Sequence, residues 1–66
     1  MKIVLNGNET EVQPDMTLLN LLEEMKITPQ IVACELNERI VRRNEYSTTK
    51  LTDSDRLEIL QMIGGG

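Results

Sequence analysis

Only one stretch of this 66-residue chain carries helical periodicity, and it limits the possible folds more than any other feature. Leu18, Leu21, Leu22 and Met25 recur at i, i+3, i+4 and i+7, which makes one apolar stripe on a helix. Asn20, Glu23, Glu24 and Lys26 fill the opposite side, and Leu19 flanks the stripe. Thr17 precedes the run, and its hydroxyl can accept one of the orphan N–H groups of the first turn. Pro29 biases Thr28 toward extended backbone, so the helix is expected to end near Lys26. One short helix has nothing of its own kind to pack on. Its stripe needs a sheet, and that points to a two-layer α+β arrangement.

The remaining periodic segments read as strands. Lys2 to Leu5 is β-prone, and Asn6-Gly7 is a hairpin signal. Glu9 to Gln13 alternates around Thr10 and Val12 and completes an N-terminal hairpin, with Ile3 and Leu5 on one face. Gln30 to Leu36 is the next strand, with Val32, Cys34 and Leu36 on one face. Asn37-Glu38 turns it back into the short strand Arg39-Ile40-Val41. Arg42 to Lys50 has no clear period and reads as a loop with room for one helical turn. Leu51 is a lone apolar anchor before the polar turn Thr52 to Asp55. Arg56 to Ile63 is the last strand. The order is β-β-α-β-β-β, a small mixed sheet crossed by one helix, and the pattern leaves the strand order open.

Composition removes several function classes. A chain this short buries only about 60% of its unfolded surface, which leaves no room for both a scaffold and a deep active site. No apolar run approaches the ~20 residues of a membrane span. The start Met1-Lys2-Ile3-Val4-Leu5 is too short for a secretory h-region, so the expected compartment is the cytoplasm. Eleven acidic residues against seven basic ones give a net charge of −4, and Tyr46 is the only aromatic residue, so nucleic acid is not the expected partner. There is no histidine, so Cys34 has no histidine to activate it and no metal cluster is expected. Cys34 is read as a buried, inert thiol. The carboxylate pairs Glu23-Glu24 and Asp53/Asp55 read as exposed, solvated charge.

The chain ends Gly64-Gly65-Gly66. Residues 1–63 are read as the folded domain and residues 64–66 as a flexible tail. Two readings of that tail are open. One is a frayed terminus, as most chain ends are. The other is a thin filament, roughly 10 Å long when extended, that carries the Gly66 carboxylate into a channel of a partner. The strand before it is also open to two readings. Leu57 and Ile59 point to the core, whereas Leu60 and Met62 point the other way, either as an exposed docking patch or turned inward by a bulge.

Taken together these segments resemble the bacterial sulfur carrier proteins of thiamine biosynthesis, the ThiS family, which have the β-grasp, ubiquitin-like fold. The resemblance rests on Ile3-Val4-Leu5-Asn6-Gly7, Thr17-Leu18 with Leu21-Leu22, Val32-Ala33-Cys34-Glu35-Leu36-Asn37, Arg43, Leu51 to Asp55, and Ile63-Gly64-Gly65-Gly66. These occur in the family's order and cover nearly the whole chain. Three positions depart from the pattern: Ser54 stands where glycine is usual, Arg42 where proline is frequent, and Cys34 where valine is common.

The resemblance implies a carrier and not an enzyme, a monomer when free, with no cofactor of its own. An E1-like adenylating enzyme using ATP and Mg²⁺ would convert the Gly66 carboxylate to an acyl-adenylate. A persulfide sulfur donor would then displace AMP and leave a thiocarboxylate for a thiazole synthase. Gly64 and Gly65 would let the partner close around the tail without side-chain clashes, and Leu60, Met62 and Arg43 are the expected partner contacts. Three alternatives remain: a carrier for molybdopterin synthesis or another sulfur-transfer pathway, a ubiquitin-like modifier joined to lysines, and a binding module in which the tail is incidental. Chain length favours the thiamine group over the molybdopterin carriers.

Overall fold

Two tight turns, each led by an asparagine, set the sheet. In the computed structural model, which describes residues 1–62, strand β1 (Lys2–Leu5) returns as β2 (Asn8–Glu11). Asn6 and Gly7 between them have φ of +49° and +84°. Two left-handed residues in a two-residue loop make the turn whose twist matches the flanking strands. The second hairpin repeats the device: β3 (Val32–Leu36) turns through Asn37 (φ +52°) and Glu38 (φ +69°) into β4 (Arg39–Val41). The register Leu5↔Asn8 puts Asn8 in the strand and not the loop, so β2 starts one residue earlier than expected and ends at Glu11. Val12 is buried just past that end, its N–H donating to the Met1 carbonyl at 2.8 Å.

Helix α1 (Leu18–Glu24) is capped at both ends by its own sequence. The Asn20 N–H donates to Thr17 Oγ1 and the Thr17 N–H donates to Asn20 Oδ1, each at 3.1 Å, so two orphan donors are satisfied reciprocally. At the other end Lys26 adopts φ +58°; its N–H donates to the Glu23 carbonyl (3.0 Å), and the Ile27 N–H donates to the Leu22 carbonyl (2.8 Å). That pair of bonds is a Schellman cap. The helix therefore stops at a left-handed residue, and Pro29 instead opens a 3-10 turn, Pro29–Ile31, ahead of β3. Leu18, Leu21 and Leu22 are buried as the stripe required. Met25 is not: as the cap residue it lies beyond the last turn and is 42% exposed.

The last strand, β5 (Arg56–Gln61), enters the middle of the sheet, giving the order β2-β1-β5-β3-β4. It runs parallel to β1 and antiparallel to β3. The two hairpin asparagines fix it there. The Asn6 N–H donates to the Leu57 carbonyl at 2.9 Å, and the Ile59 N–H donates to Asn6 Oδ1 at 2.8 Å. Across the strand the Asn37 N–H donates to the Arg56 carbonyl at 2.7 Å, and the Arg56 N–H donates to Asn37 Oδ1 at 2.9 Å. Each asparagine side chain thus extends the ladder past the point where its own strand has turned away. One sheet face buries Ile3, Leu5, Val32, Cys34 and Leu57 against the helix leucines, with Met16, Tyr46 and Leu51 closing the core. Arg43–Glu45 forms the single 3-10 turn of the Arg42–Lys50 loop. Among the described residues no helix is long and apolar enough to cross a membrane.

The Asp53/Asp55 pair is not two solvated charges. Asp53 is exposed, but Asp55 is only 6% exposed. Its carboxylate accepts from the Thr52 N–H (2.7 Å), Thr52 Oγ1 (2.9 Å) and Asn37 Nδ2 (2.9 Å). A buried carboxylate needs such partners, and the Thr52-x-x-Asp55 spacing supplies two of them. Burial pushes its pKa up, but the donors from Asn37 and Thr52 outweigh burial and hold it below the ordinary aspartate value.

Two outcomes follow from these positions. Lys26→Gly removes a side chain from a left-handed position and is expected to stabilise the fold by about 0.5–1 kcal/mol, read as a higher urea midpoint at unchanged slope. Because the folded-state pKa of Asp55 is depressed, its contribution is fully present above the unfolded value of about 4 and is lost as pH falls through the lower folded value. Asp55→Ala should cost about 1–3 kcal/mol at pH 7 and flatten the acid limb of a stability–pH profile.

Candidate functional site

Strand alternation decides what surrounds the end of β5. Leu57 is fully buried and Ile59 half-buried on the helix side, whereas Arg56, Glu58 and Leu60 face outward. The pairing Cys34↔Ile59, Ala33↔Leu60 and Val32↔Gln61 runs without interruption. The Met62 N–H continues it by donating to the Ile31 carbonyl at 2.7 Å. No bulge interrupts this stretch, so of the two readings of Leu60 and Met62 the exposed one holds. They are 60% and 64% exposed.

Their surroundings enlarge the patch. Ala33, the cross-strand neighbour of Leu60, presents only a methyl group. Ile40 on the edge strand is 76% exposed. It pairs with Glu35, out of phase with Val41, which pairs with the inward Cys34. The sequence reading treated Ile40 as part of a short return strand and gave it no role. Its offset from Val41 was the available signal, but three residues are too few to assign a face without a register. Covering an exposed Leu or Met side chain stabilises a complex by about 1.5–3 kcal/mol each.

Arg43 is exposed but not idle. Its Nε donates to the Pro29 carbonyl and its Nη2 to the Gln30 carbonyl, both at 3.3 Å. The next carbonyl in that turn, that of Ile31, receives the Met62 N–H. The structure therefore links Arg43 to the end of β5 through the Pro29–Ile31 turn. Gly64, Gly65 and Gly66, together with the 63/64 boundary between domain and tail, lie outside the described residues.

Other chemistry is weak in this chain. Cys34 is 1% exposed. Burial pushes its thiol pKa up, more than the Tyr46 hydroxyl hydrogen-bonded to it lowers it. Tyr46 is pushed up to about 12, mainly by burial and then by Cys34. A thiol held protonated in the core is a poor nucleophile. Among the described residues no group of three or more His, Cys, Asp or Glu side chains is placed to hold a metal ion.

The ThiS family model matches residues 3–66. The chain belongs to the ThiS family. The sulfur carrier protein ThiS of Bacillus subtilis is 33% identical over 63 residues, covering 94% of this chain and 96% of that one. The crystal structure of a thiamine biosynthesis protein (ThiS) from Geobacter metallireducens superposes with a TM-score of 0.87 over the whole of both chains at 29% identity. The thiazole synthase of Paramagnetospirillum magneticum is 41% identical over all 66 residues. This chain spans only about a fifth of the length of that synthase and of the one it matches from Magnetococcus marinus. The expected β-grasp fold is the observed one.

The exposed apolar strip can be tested apart from the tail. Leu60→Asp changes a side chain that is 60% exposed and should alter stability by no more than about 0.5 kcal/mol. Under the sulfur-carrier function proposed below, partner-dependent loading should nonetheless fall by at least about tenfold, as expected when an apolar anchor is replaced by a charge. Parallel urea titration and loading assays read the two effects.

Proposed function

We propose that this ThiS-family chain carries sulfur as a thiocarboxylate on Gly66 and donates it to the thiazole moiety of thiamine. The observation that carries the reading is the family match, which runs through Gly66 and not only through the folded domain. The relatives named thiazole synthase favour the thiamine pathway over molybdopterin synthesis.

The chemistry follows from the reactivity of a carboxylate. Its negative charge repels nucleophiles and oxide is a poor leaving group, so Gly66 must first be activated. An E1-like partner transfers AMP from ATP, with Mg²⁺ holding the phosphates, and releases pyrophosphate. A donor persulfide attacks the mixed anhydride, expels AMP and forms an acyl persulfide. A thiol then cleaves the S–S bond, leaving the thiocarboxylate on Gly66 and a disulfide on the donor side. The terminal sulfur is the nucleophile offered to the synthase. All catalytic groups, ATP and Mg²⁺ belong to the partners. This chain supplies the reacting terminus, and Leu60 and Met62, a few residues earlier in the sequence, supply exposed apolar docking area.

Intact mass spectrometry tests the proposal directly. Incubation with the adenylating enzyme of the same organism, ATP and a persulfide donor should make the protein heavier by about 16 Da, one oxygen replaced by sulfur. Omitting ATP, or deleting Gly65-Gly66, should abolish the shift. A competent activating enzyme that never produces it rules the reading out, and lysine-linked conjugates dependent on Gly66 would assign the chain to the protein modifiers instead.

A further inference from the structure

The last described hydrogen bond along β5 does not join two strands. Register pairing of β5 with β3 ends at Val32↔Gln61. One residue on, the Met62 N–H donates to the Ile31 carbonyl at 2.7 Å, and Ile31 belongs to the Pro29–Ile31 turn. The hold on Met62 is therefore only as firm as that turn. A 3-10 turn has poorer hydrogen-bond geometry than an α-helix. This one has little of its own to steady it. Pro29 brings no N–H. The Thr28 side chain makes no cap bond, and the Ile31 N–H reaches the Thr28 carbonyl at 3.2 Å.

Support comes from outside the turn. Arg43 Nε donates to the Pro29 carbonyl and Nη2 to the Gln30 carbonyl, both at 3.3 Å. One guanidinium thus holds the two carbonyls immediately before that of Ile31. The core fixes the base of this side chain, because the Arg43 carbonyl accepts from the N–H of the buried Tyr46 at 3.1 Å. Carboxylates exist elsewhere on the fold: Glu35 and Glu58 oppose each other across β3 and β5. Among the described residues, however, the ion pairs within 4.0 Å are Met1 amine–Glu11 and Lys2–Glu9, and the Arg43 fork is turned to the backbone of its own chain. A planar guanidinium can serve two successive carbonyls at once, a geometry that the compact ammonium of lysine does not match.

We infer that Arg43 is a positioning residue and not a partner contact: through the Pro29–Ile31 turn it holds Met62, and so fixes the point from which the chain runs to Gly66. The inference rests on the carrier role proposed above. Gly66 is four positions beyond Met62, so it lies at most roughly 14 Å from it. An activating partner brings its reacting groups to one place, and the terminus must arrive there. Misplacing a reacting group by about 1 Å can cost about 100-fold in rate. Loss of the Arg43 tie loosens the anchor of the reacting terminus and leaves the docking surface as it was. It therefore lowers the rate of activation and not the affinity for the partner.

Two variants and two readouts test this. Arg43→Met keeps an aliphatic stem and removes the donors, whereas Arg43→Lys keeps the charge. In both, amide hydrogen exchange at Met62, followed by NMR, should quicken by about tenfold or more. Exchange at Ile59, which Asn6 Oδ1 holds on the same strand, should change by less than about twofold, which excludes general unfolding. The second readout is ATP–pyrophosphate exchange by the same organism's adenylating enzyme, with the carrier as the varied substrate. For both variants kcat should fall at least about threefold while KM stays within about twofold of the parent. A raised KM at unchanged kcat makes Arg43 a partner contact and overturns the inference. Full recovery by Arg43→Lys overturns it too, since charge alone would then suffice, and so does unchanged exchange at Met62. A parent chain that supports no pyrophosphate exchange strikes the carrier role instead, and amide exchange at Met62 still decides the tie.

Discussion

The structure depends on the clamp that Asn6 and Asn37 place on β5. Two local hairpins form readily because their turns are encoded in adjacent residues. Nothing local brings the last strand between them, across a sequence separation of about 50 residues from β1, and closing such a loop costs entropy. The asparagines offset part of it. Each turns its own strand at positive φ and spends its side chain on the β5 backbone, at Ile59 on one flank and at Arg56 on the other. Asn37 also donates to Asp55, so the buried carboxylate that closes the Thr52–Asp55 turn is tied to the same clamp. The strand that leads to the tail is thus the strand held most directly by side chains.

Such economy leaves strain in the connections. Among the described residues six non-glycine ones have positive φ: Asn6, Asp15, Lys26, Asn37, Glu38 and Ser54. Asparagine and aspartate tolerate this region, whereas Lys26, Glu38 and Ser54 gain nothing intrinsic from it. Specific bonds hold two of these three. Lys26 closes the helix cap, and the Ser54 N–H donates to the Lys2 carbonyl at 2.7 Å. Ser54, at φ +71°, is also the position where the family pattern has glycine, and the backbone angle supplies the physical reason for that preference.

Much of this was legible from the residues. The helix stripe, the Asn-Gly turn, the outward phase of Leu60 and Met62, and the buried thiol all follow from short-range periodicity and turn chemistry. What escaped was decided by tertiary partners. Met25 matched the stripe, but the left-handed Lys26 ended the helix before it could turn Met25 inward. Asp55 had the composition of a surface turn, and only the arrival of Asn37 from the other hairpin shows why it can be buried. The strand order is a property of the clamp, and the side-chain function of a turn asparagine has no periodic signal. At the candidate site, Arg43 was singled out by resemblance alone, and its bonds to Pro29 and Gln30 lie across a turn that no spacing rule connects to it.

The outer face shows why free-state stability is a poor guide to what this fold is for. On the helix side apolar residues are buried and the buried carboxylate is fully partnered. On the other side Leu60, Met62 and Ile40 stand exposed beside two opposed glutamates. Replacing the glutamates by threonine and the apolar residues by lysine would suit a solitary sheet better, since such changes relieve repulsion and blunt an exposed patch. The arrangement becomes favourable only when both features are covered at once by a surface of matching polarity and charge. On this argument the conflict within the free molecule is the trace of an interface, and it is confined to the outward face of β5 and the strands beside it.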